Sequence, residues 1–129
     1  MGRKLETLKV RAEFLRVAGA GRRSAGPGLV VQAAPRPQEP SGATGIRVGF
    51  TASRKVGNSV IRNRAKRRMR AAAASVLPTL GQPGTDYVLI ARASTPDRPF
   101  AELIADLEAA LRRIGRSFAQ RPSALTAKT

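Results

Sequence analysis

One stretch of the chain, Ser41 to Thr85, contains no acidic residue but nine Lys or Arg residues. This asymmetry of charge is the strongest physical signal in the sequence. The whole chain of 129 residues shares the bias, with 24 basic residues, 8 acidic residues and a formal net charge of +16. This length has room for one core, so we expect a single domain over residues 1–129, ordered over about 5–118, with a flexible tail over 120–129.

The positive charge exceeds what solubility requires and indicates a polyanionic partner. The chain has no long apolar run, amphipathic anchor or lipidation motif, which argues against a membrane as that partner. Met1 to Val10 lacks the continuous apolar stretch of a secretory signal. We therefore expect a cytoplasmic protein that binds nucleic acid and has neither a membrane partner nor a small-molecule substrate.

The chemistry available to the side chains is narrow, because the chain has no Cys and no His. This excludes thiolate metal sites, disulfides and the commonest general base. The remaining candidates for catalysis are eight carboxylates: Glu6, Glu13, Glu39, Asp86, Asp97, Glu102, Asp106 and Glu108. Glu102, Asp106 and Glu108 alternate with apolar residues on one predicted helix, as on a solvated helix face. We expect no catalytic residue and no metal site in the protein.

The apolar periodicity predicts six elements in the order α-β-β-α-β-α. The predicted helices are Leu5–Ala18, Val60–Leu77 closed by Pro78, and a last helix that begins near Pro99, and the predicted strands are Leu29–Ala33, Ile46–Ala52 and Asp86–Ala93. The segment 35–45, rich in Pro and Gly, is predicted to be a flexible connection. This order predicts an α/β (α+β) fold, a two-layer sandwich with helices packed on a small mixed sheet.

The helix after Ser59 divides its residues between two kinds of surface. Apolar side chains at helical spacing form its predicted buried stripe: Ile61, Ala65, Met69, Ala72 and Val76. The polar residues lie on other faces: Arg62, Asn63, Arg64, Lys66, Arg67, Arg68 and Arg70. Like charges four apart destabilise a helix by about 0.2–0.5 kcal/mol per pair, and no Asp or Glu compensates them here. Arginine suits bidentate contacts with phosphate, so we interpret this face as a nucleic-acid contact.

The segment from Arg47 to Arg70, RVGFTASRKVGNSVIRNRAKRRMR, resembles the signature of the bacterial ribonuclease P protein subunit. In that family a strand that ends in Ser and basic residues leads into an Arg-Asn-Arg helix. The other predicted elements agree in order, with an early helix that contains Phe14, a YVLIAR strand and a final helix. The resemblance spans about Leu5 to Phe118 and implies a left-handed βαβ crossover, although general rules favour a right-handed one.

The resemblance implies a protein that assists a catalytic RNA. That RNA, with Mg²⁺, hydrolyses the bond between the 5′ leader and precursor tRNA, so the protein is a non-catalytic subunit of an endoribonuclease. The implied partners are the ribonuclease P RNA, through the basic helix, and the single-stranded leader, in a cleft between the first helix and the sheet. Our candidates for that cleft are Phe14, Arg47, Phe50, Ser53, Arg54 and Lys55. For both aromatic residues, packing in the core is the alternative.

This chain departs from the family pattern at two positions, with Ala18 and Gln32 where many members carry aromatic residues. We therefore expect its leader binding to depend less on stacking and more on Arg47, Arg54 and Lys55. Two other functions fit the composition. A ribosomal or ribosome-assembly protein could use the same basic helix on ribosomal RNA, and a DNA-binding helix could enter a major groove. The second lacks a helix-turn-helix pattern.

Overall fold

The computed structural model describes residues 5–19, 22–36 and 45–128, with side chains as far as residue 116. Its elements are β1 (Leu5–Thr7), α1 (Arg11–Gly19), β2 (Arg22–Ala25), β3 (Leu29–Pro35), β4 (Ile46–Thr51), α2 (Ser59–Leu80), β5 (Thr85–Ala91) and α3 (Phe100–Lys128). The predicted α+β class with a mixed sheet is confirmed. The predicted order lacked two strands, β1 and β2, which lie at the two edges of the sheet.

The five strands form one sheet in the order β1-β4-β5-β3-β2. β1 and β5 both pair with β4 in parallel, whereas β3 pairs antiparallel with β5 and with β2. The parallel pair β4–β5 is connected through α2, and the left-handed course of that crossover stays a prediction. β5 is central, and all its residues except Ile90 are buried, as expected for a strand covered on both faces.

The two faces of the sheet carry different cores, because side chains alternate along each strand. On one face, α2 and α3 cover inward-facing residues of the three long strands, including Leu29, Ile46 and Tyr87. On the other face, α1 packs with Val17 on a smaller cluster that includes Val88. The sheet thus separates the basic helix α2 from α1.

Tyr87 is the largest fully buried side chain of the main core. Its hydroxyl accepts a hydrogen bond from the Gln82 backbone N–H at 2.8 Å, so its one polar atom has a partner. Burial raises the pKa of Tyr87 above its usual value. The residue therefore fills the core as a neutral phenol and fixes the turn before β5.

The predicted helix Leu5–Ala18 was wrong over its first half. Leu5 and Thr7 lie in β1, opposite Ile46 and Val48 of β4, and the Leu8 N–H extends the pairing to the Val48 carbonyl at 3.0 Å. Val10 lies inside the predicted helix, but in the structure it precedes α1 and is 56% exposed. A three-residue edge strand is held by pairing with its neighbour, which no local period in the sequence reports.

The start of α2 is fixed by the two residues that precede Ser59. The Asn58 side chain caps the helix by accepting a hydrogen bond from the Ile61 N–H at 3.0 Å. Gly57 has a φ of +152°, and a Cβ at this position would lie 2.8 Å from the Ile61 side chain. Glycine is therefore required where the chain turns into the helix.

The end of α2 lies one turn beyond the prediction. Pro78 was expected to close the helix after Leu77, but it lies inside the last turn, and α2 continues to Leu80. Proline lacks only its own N–H donor, and the Gly81 N–H still bonds to the Leu77 carbonyl at 2.8 Å. The buried stripe also includes Ala73 and Leu77, whereas Ile61 lies at its margin and is 36% exposed.

The last helix, α3, buries a stripe of apolar side chains. Leu103, Leu107, Leu111 and Ile114 are buried, whereas Phe100 at the helix start is 41% exposed. The helix extends to Lys128, through most of the segment predicted to be a flexible tail, and the mobility of that tail stays a prediction. The predicted connection 35–45 lies mostly outside the described residues, which resume at residue 45.

Candidate nucleic-acid interface

The predicted RNA-binding residues of α2 point in three directions. Asn63 and Arg67 are exposed and face away from the sheet, and Arg62 is half-buried. Arg67 has no hydrogen-bond or ion-pair partner among the described residues. The outward face of α2 therefore presents a cation and an amide that are free to bind a ligand.

Arg64 and Arg68 lie on the side of α2 that faces the loop between β5 and α3. Arg68 donates hydrogen bonds to two carbonyl oxygens of that loop, from Nε to Thr95 at 3.1 Å and from a terminal nitrogen to Arg98. Arg64 forms an ion pair with Asp97 at 3.3 Å, and both side chains are more than half exposed. Arg68 thus anchors the loop to α2, whereas Arg64 stays accessible.

Lys66 and Arg70 lie on the opposite side of α2, toward the end of β4. The Arg70 guanidinium lies over the Phe50 ring, 5.2 Å from its centre, in the range of a cation–π contact. Phe50 is half-buried and packs against the main core, which is the packing role considered as the alternative for this residue. The ring also lines a surface groove, and Lys66 lines the same groove.

A groove of about 370 Å³ opens at the end of β4, between α1 and α2. Its lining combines two aromatic rings and three cations: Lys9, Arg11, Phe14, Phe50, Thr51, Ala52 and Lys66. Unpaired bases stack on aromatic rings, and their phosphates need cations nearby, so this composition suits single-stranded nucleic acid. The groove brings together two of the predicted leader residues, Phe14 and Phe50, from opposite faces of the sheet.

The Phe14 ring is held against the backbone of β4. A Cβ added to Gly49 would lie 2.5 Å from two ring atoms of Phe14, so only glycine permits this approach. Phe14 also packs on the smaller cluster with Val17 and Val88. One side of the half-buried ring is therefore fixed by the sheet while its edge lines the groove.

The other predicted cleft residues lie beyond the groove. Ser53, Arg54 and Lys55 form the exposed turn that follows Ala52, closed by hydrogen bonds from the Val56 N–H to Ser53 at 3.0 Å and from the Gly57 N–H to Arg54 at 3.2 Å. Both cations of this turn are solvent-accessible. They extend the positive surface from the groove toward the start of α2.

Arg47 takes part in an internal cluster around Asp86, which is fully buried. Its guanidinium donates to both oxygens of Asp86, at 2.8 and 2.6 Å, and to Glu13 at 2.7 Å. Arg16 of α1 also bonds to Asp86, and Arg36 lies 3.9 Å from it. The hydrogen bond with Asp86 is the main cause that raises the pKa of Arg47. These contacts join α1 to β4 and β5, and the contact of Arg47 with a leader stays a prediction.

Sequence reasoning missed three residues of this region. Lys9 and Arg11 were not among the predicted site residues, yet both line the groove beside Phe14. Asp86 was placed at the start of a buried strand without a partner. One carboxylate in an otherwise apolar strand of a chain rich in arginine was the available signal, because a buried carboxylate needs a cation.

Two further kinds of feature are absent from the part of the chain that the structure describes. No group of three or more acidic side chains lies close enough there to hold a metal ion. Among the described helices, none combines the length and the apolar character needed to cross a membrane.

Known proteins resemble this chain along most of its length. The family model described as Ribonuclease P matches residues 3–115. The chain belongs to the ribonuclease P protein family. Among curated relatives, the ribonuclease P protein component of Paramagnetospirillum magneticum is 53% identical over 115 residues, covering 89% of this chain and 86% of the relative. That of Ruegeria pomeroyi is 54% identical over 111 residues, covering 85% of this chain and 86% of the relative.

Solved structures of the family share the fold. The ribonuclease P protein of Staphylococcus aureus superposes with a TM-score of 0.68 at 27% identity, covering 84% of this chain and 94% of that one. The protein from Thermotoga maritima superposes with a TM-score of 0.69 at 24% identity, covering 84% and 96%. The resemblance drawn from Arg47 to Arg70 is confirmed. The comparisons do not support the ribosomal alternative.

Proposed function

We propose that this ribonuclease P protein is a non-catalytic subunit that holds two RNAs at once. In this proposal the outward cations of α2 bind the catalytic RNA, and the groove beside Phe14 binds the 5′ leader of precursor tRNA. The RNA subunit, with its Mg²⁺ ions, cleaves the phosphodiester bond.

The observation that carries the proposal is the position of Lys66. This residue belongs to the basic helix and also lines the groove in which Phe14 and Phe50 meet. A leader in the groove would therefore lie within one or two helix turns of an RNA bound to Arg67. Such proximity lets one small protein position the substrate against the ribozyme, which raises the effective concentration of the scissile bond.

The groove would bind the leader by two kinds of contact. Stacking of an unpaired base on an aromatic ring contributes about 1–3 kcal/mol. Lys9, Arg11 and Lys66 supply phosphate contacts, and Arg54 and Lys55 continue them outside the groove. This abundance of cations supports the expectation that leader binding here depends less on stacking and more on cations.

The decisive experiment measures cleavage of precursor tRNA by the cognate catalytic RNA at low Mg²⁺, with and without the full chain. We expect the protein to stimulate correct 5′ cleavage and to show no cleavage alone. Cleavage by the protein alone would overturn the non-catalytic assignment, and the absence of any stimulation would overturn the function.

A second measurement tests the groove. Phe14→Ala should weaken the binding of precursor tRNA with a leader to the holoenzyme, while mature tRNA, which lacks the leader, binds as before. Phe100→Ala, which removes an exposed ring at the start of α3 and outside the groove, is the matched control. Equal affinity of the Phe14→Ala and wild-type holoenzymes for the leader-containing substrate would remove the ring from the leader site.

A further inference from the structure

A second cationic surface lies at the β2 edge of the sheet. The chain has two more acid-free stretches, residues 14–38 and residues 109–129, which together carry nine cations. β2 belongs to the first stretch and the middle of α3 to the second, and the fold packs them together. We call the side chains that meet there the β2–α3 surface: Arg22, Arg112, Arg113 and Arg116.

One contact fixes the geometry of this surface. The Arg113 Nε donates a hydrogen bond to the Ser24 hydroxyl at 2.9 Å and so joins α3 to β2. Arg22 is two residues from Ser24 and on the same face of the strand, because side chains alternate. Arg112 and Arg116 lie within one turn of Arg113, and both are exposed. The four guanidinium groups thus lie along one strip.

Arg112 and Arg116 have no role in holding the fold together. Neither has a hydrogen-bond or ion-pair partner among the described residues, and they repel each other because they are four apart on a helix. A helix dipole stabilises cations only near the last turn, but α3 continues to Lys128. Protection of a sheet edge against pairing explains charges on β2 but not charges on a helix.

The alternative of a merely solvated helix face fits poorly. Such a face normally mixes signs and gains from ion pairs at this spacing, as Arg98 and Glu102 do at the start of the same helix, 3.4 Å apart. Beyond Glu108, which is half-buried, α3 carries only cations. The change from mixed to uniform charge coincides with the point at which α3 meets β2.

We propose that the β2–α3 surface binds the phosphate backbone of a second RNA segment, separate from the one bound by α2. α2 and α3 pack side by side on one face of the sheet, with α2 over β4 and β5 and α3 over β3 and β2, so the β2–α3 surface lies on the side of α3 that faces away from α2. Arginine forks suit phosphate oxygens, which carry no sequence information, so the contact is independent of sequence. The segment belongs either to the catalytic RNA or to the body of precursor tRNA.

The proposal rests on the proposed function for its choice of RNAs, and the salt dependence of binding tests it. The variant Arg112→Gln/Arg116→Gln is compared with wild type in two titrations against salt concentration. One measures the full chain on the catalytic RNA, and the other measures precursor tRNA on the holoenzyme. Loss of two phosphate contacts should lower the slope of log affinity against log salt by about 2 in one titration.

The titration that changes identifies the RNA. A lower slope on the catalytic RNA assigns the surface to that subunit, and a lower slope with precursor tRNA assigns it to the substrate. Arg112→Lys/Arg116→Lys keeps the charge and should retain the wild-type slope. Unchanged slopes of the Gln variant in both titrations, or an equal loss in the Lys variant, would overturn the proposal.

The outcome is separable from the function itself. Wild-type protein that fails to stimulate precursor cleavage contradicts the proposed function, whatever the variants do. If the wild-type protein stimulates cleavage and the Gln variant keeps both salt slopes, only the proposed RNA contact of the β2–α3 surface is contradicted. Because both positions are exposed, the variants should keep the wild-type circular dichroism spectrum and unfolding midpoint.

Discussion

The arginines of the Asp86 cluster and those on the outward face of α2 have the same chemistry and opposite surroundings. Arg16 and Arg47 are held by a fully buried carboxylate on the face of the sheet that α1 covers. Arg67, on α2, has no such partner among the described residues. The difference shows that the number of arginines indicates a polyanionic partner only after those that serve the fold have been identified.

The largest effect on stability should come from removing Asp86, the centre of the Asp86 cluster. Asp86→Ala leaves Arg47 and Arg16 partly buried without their counter-charge, and breaking a buried pair in this way costs about 3–5 kcal/mol. Unfolding in urea would measure the loss. A decrease below about 1 kcal/mol, the range of an ordinary substitution, would show that the cluster does not hold α1 on the sheet.

The same contrast exists within α2, between two adjacent residues. Arg68→Ala removes two hydrogen bonds from a charged donor to loop carbonyls and should destabilise the protein by about 1.5–3 kcal/mol. Arg67→Ala should change the free energy of unfolding by less than about 0.5 kcal/mol. Affinity for the catalytic RNA should follow the reverse order, with the larger loss for Arg67→Ala. Equal effects of the two variants in both measurements would remove the distinction between anchoring and binding arginines.

A smaller effect on stability is expected at the margin of the Asp86 cluster. Glu13 bonds to Arg47 at 2.7 Å, but its side chain is 27% exposed, so solvent screens the pair. Glu13→Gln should therefore cost about 1 kcal/mol or less in the free energy of unfolding. A loss as large as that of Asp86→Ala would mean that Glu13, and not Asp86, is the principal partner of Arg47.

The smallest effect on stability is expected for the exposed pair of Arg64 with Asp97, whose side chains are 51% and 81% exposed. Asp97→Asn should change the free energy of unfolding by less than about 0.5 kcal/mol. It should also raise the affinity for the catalytic RNA modestly, because a negative charge beside the basic helix is removed. Filter binding at low salt would detect the change, and a lower affinity would assign Arg64 to the anchoring group with Arg68.

The long periodic segments of the fold were predictable from the sequence. α2, β5 and most of α3 carry apolar residues at the period of their secondary structure, and Asn58 marks the start of α2 by capping. The two edge strands were not predictable. Arg22–Ala25 is too polar to resemble a strand, and Leu5–Thr7 is too short to show a period. Both form because a neighbouring strand offers them hydrogen bonds, which is a tertiary effect.

The candidate site was predictable in composition but not in its division of roles. The cations of α2 were identified from the charge pattern and the two aromatic residues of the groove from the family resemblance, whereas the partners of Arg47 and Arg68 were not identified. Those partners are Asp86, 39 residues from Arg47, and the carbonyls of Thr95 and Arg98, 27 and 30 residues from Arg68. Spacing along a helix shows which residues share a face, and it does not show what the rest of the fold places against that face.

The strand order also has a consequence for how the protein is made. β5, the central strand, is the last to be synthesised, so the sheet cannot close until the ribosome has passed Ala91. α2 is complete before that point, and its buried stripe then has no sheet to cover it. During synthesis, domains fold as units and non-local pairings form late. The nascent chain therefore exposes its most basic helix to the RNA-rich surface of the ribosome before its own core exists.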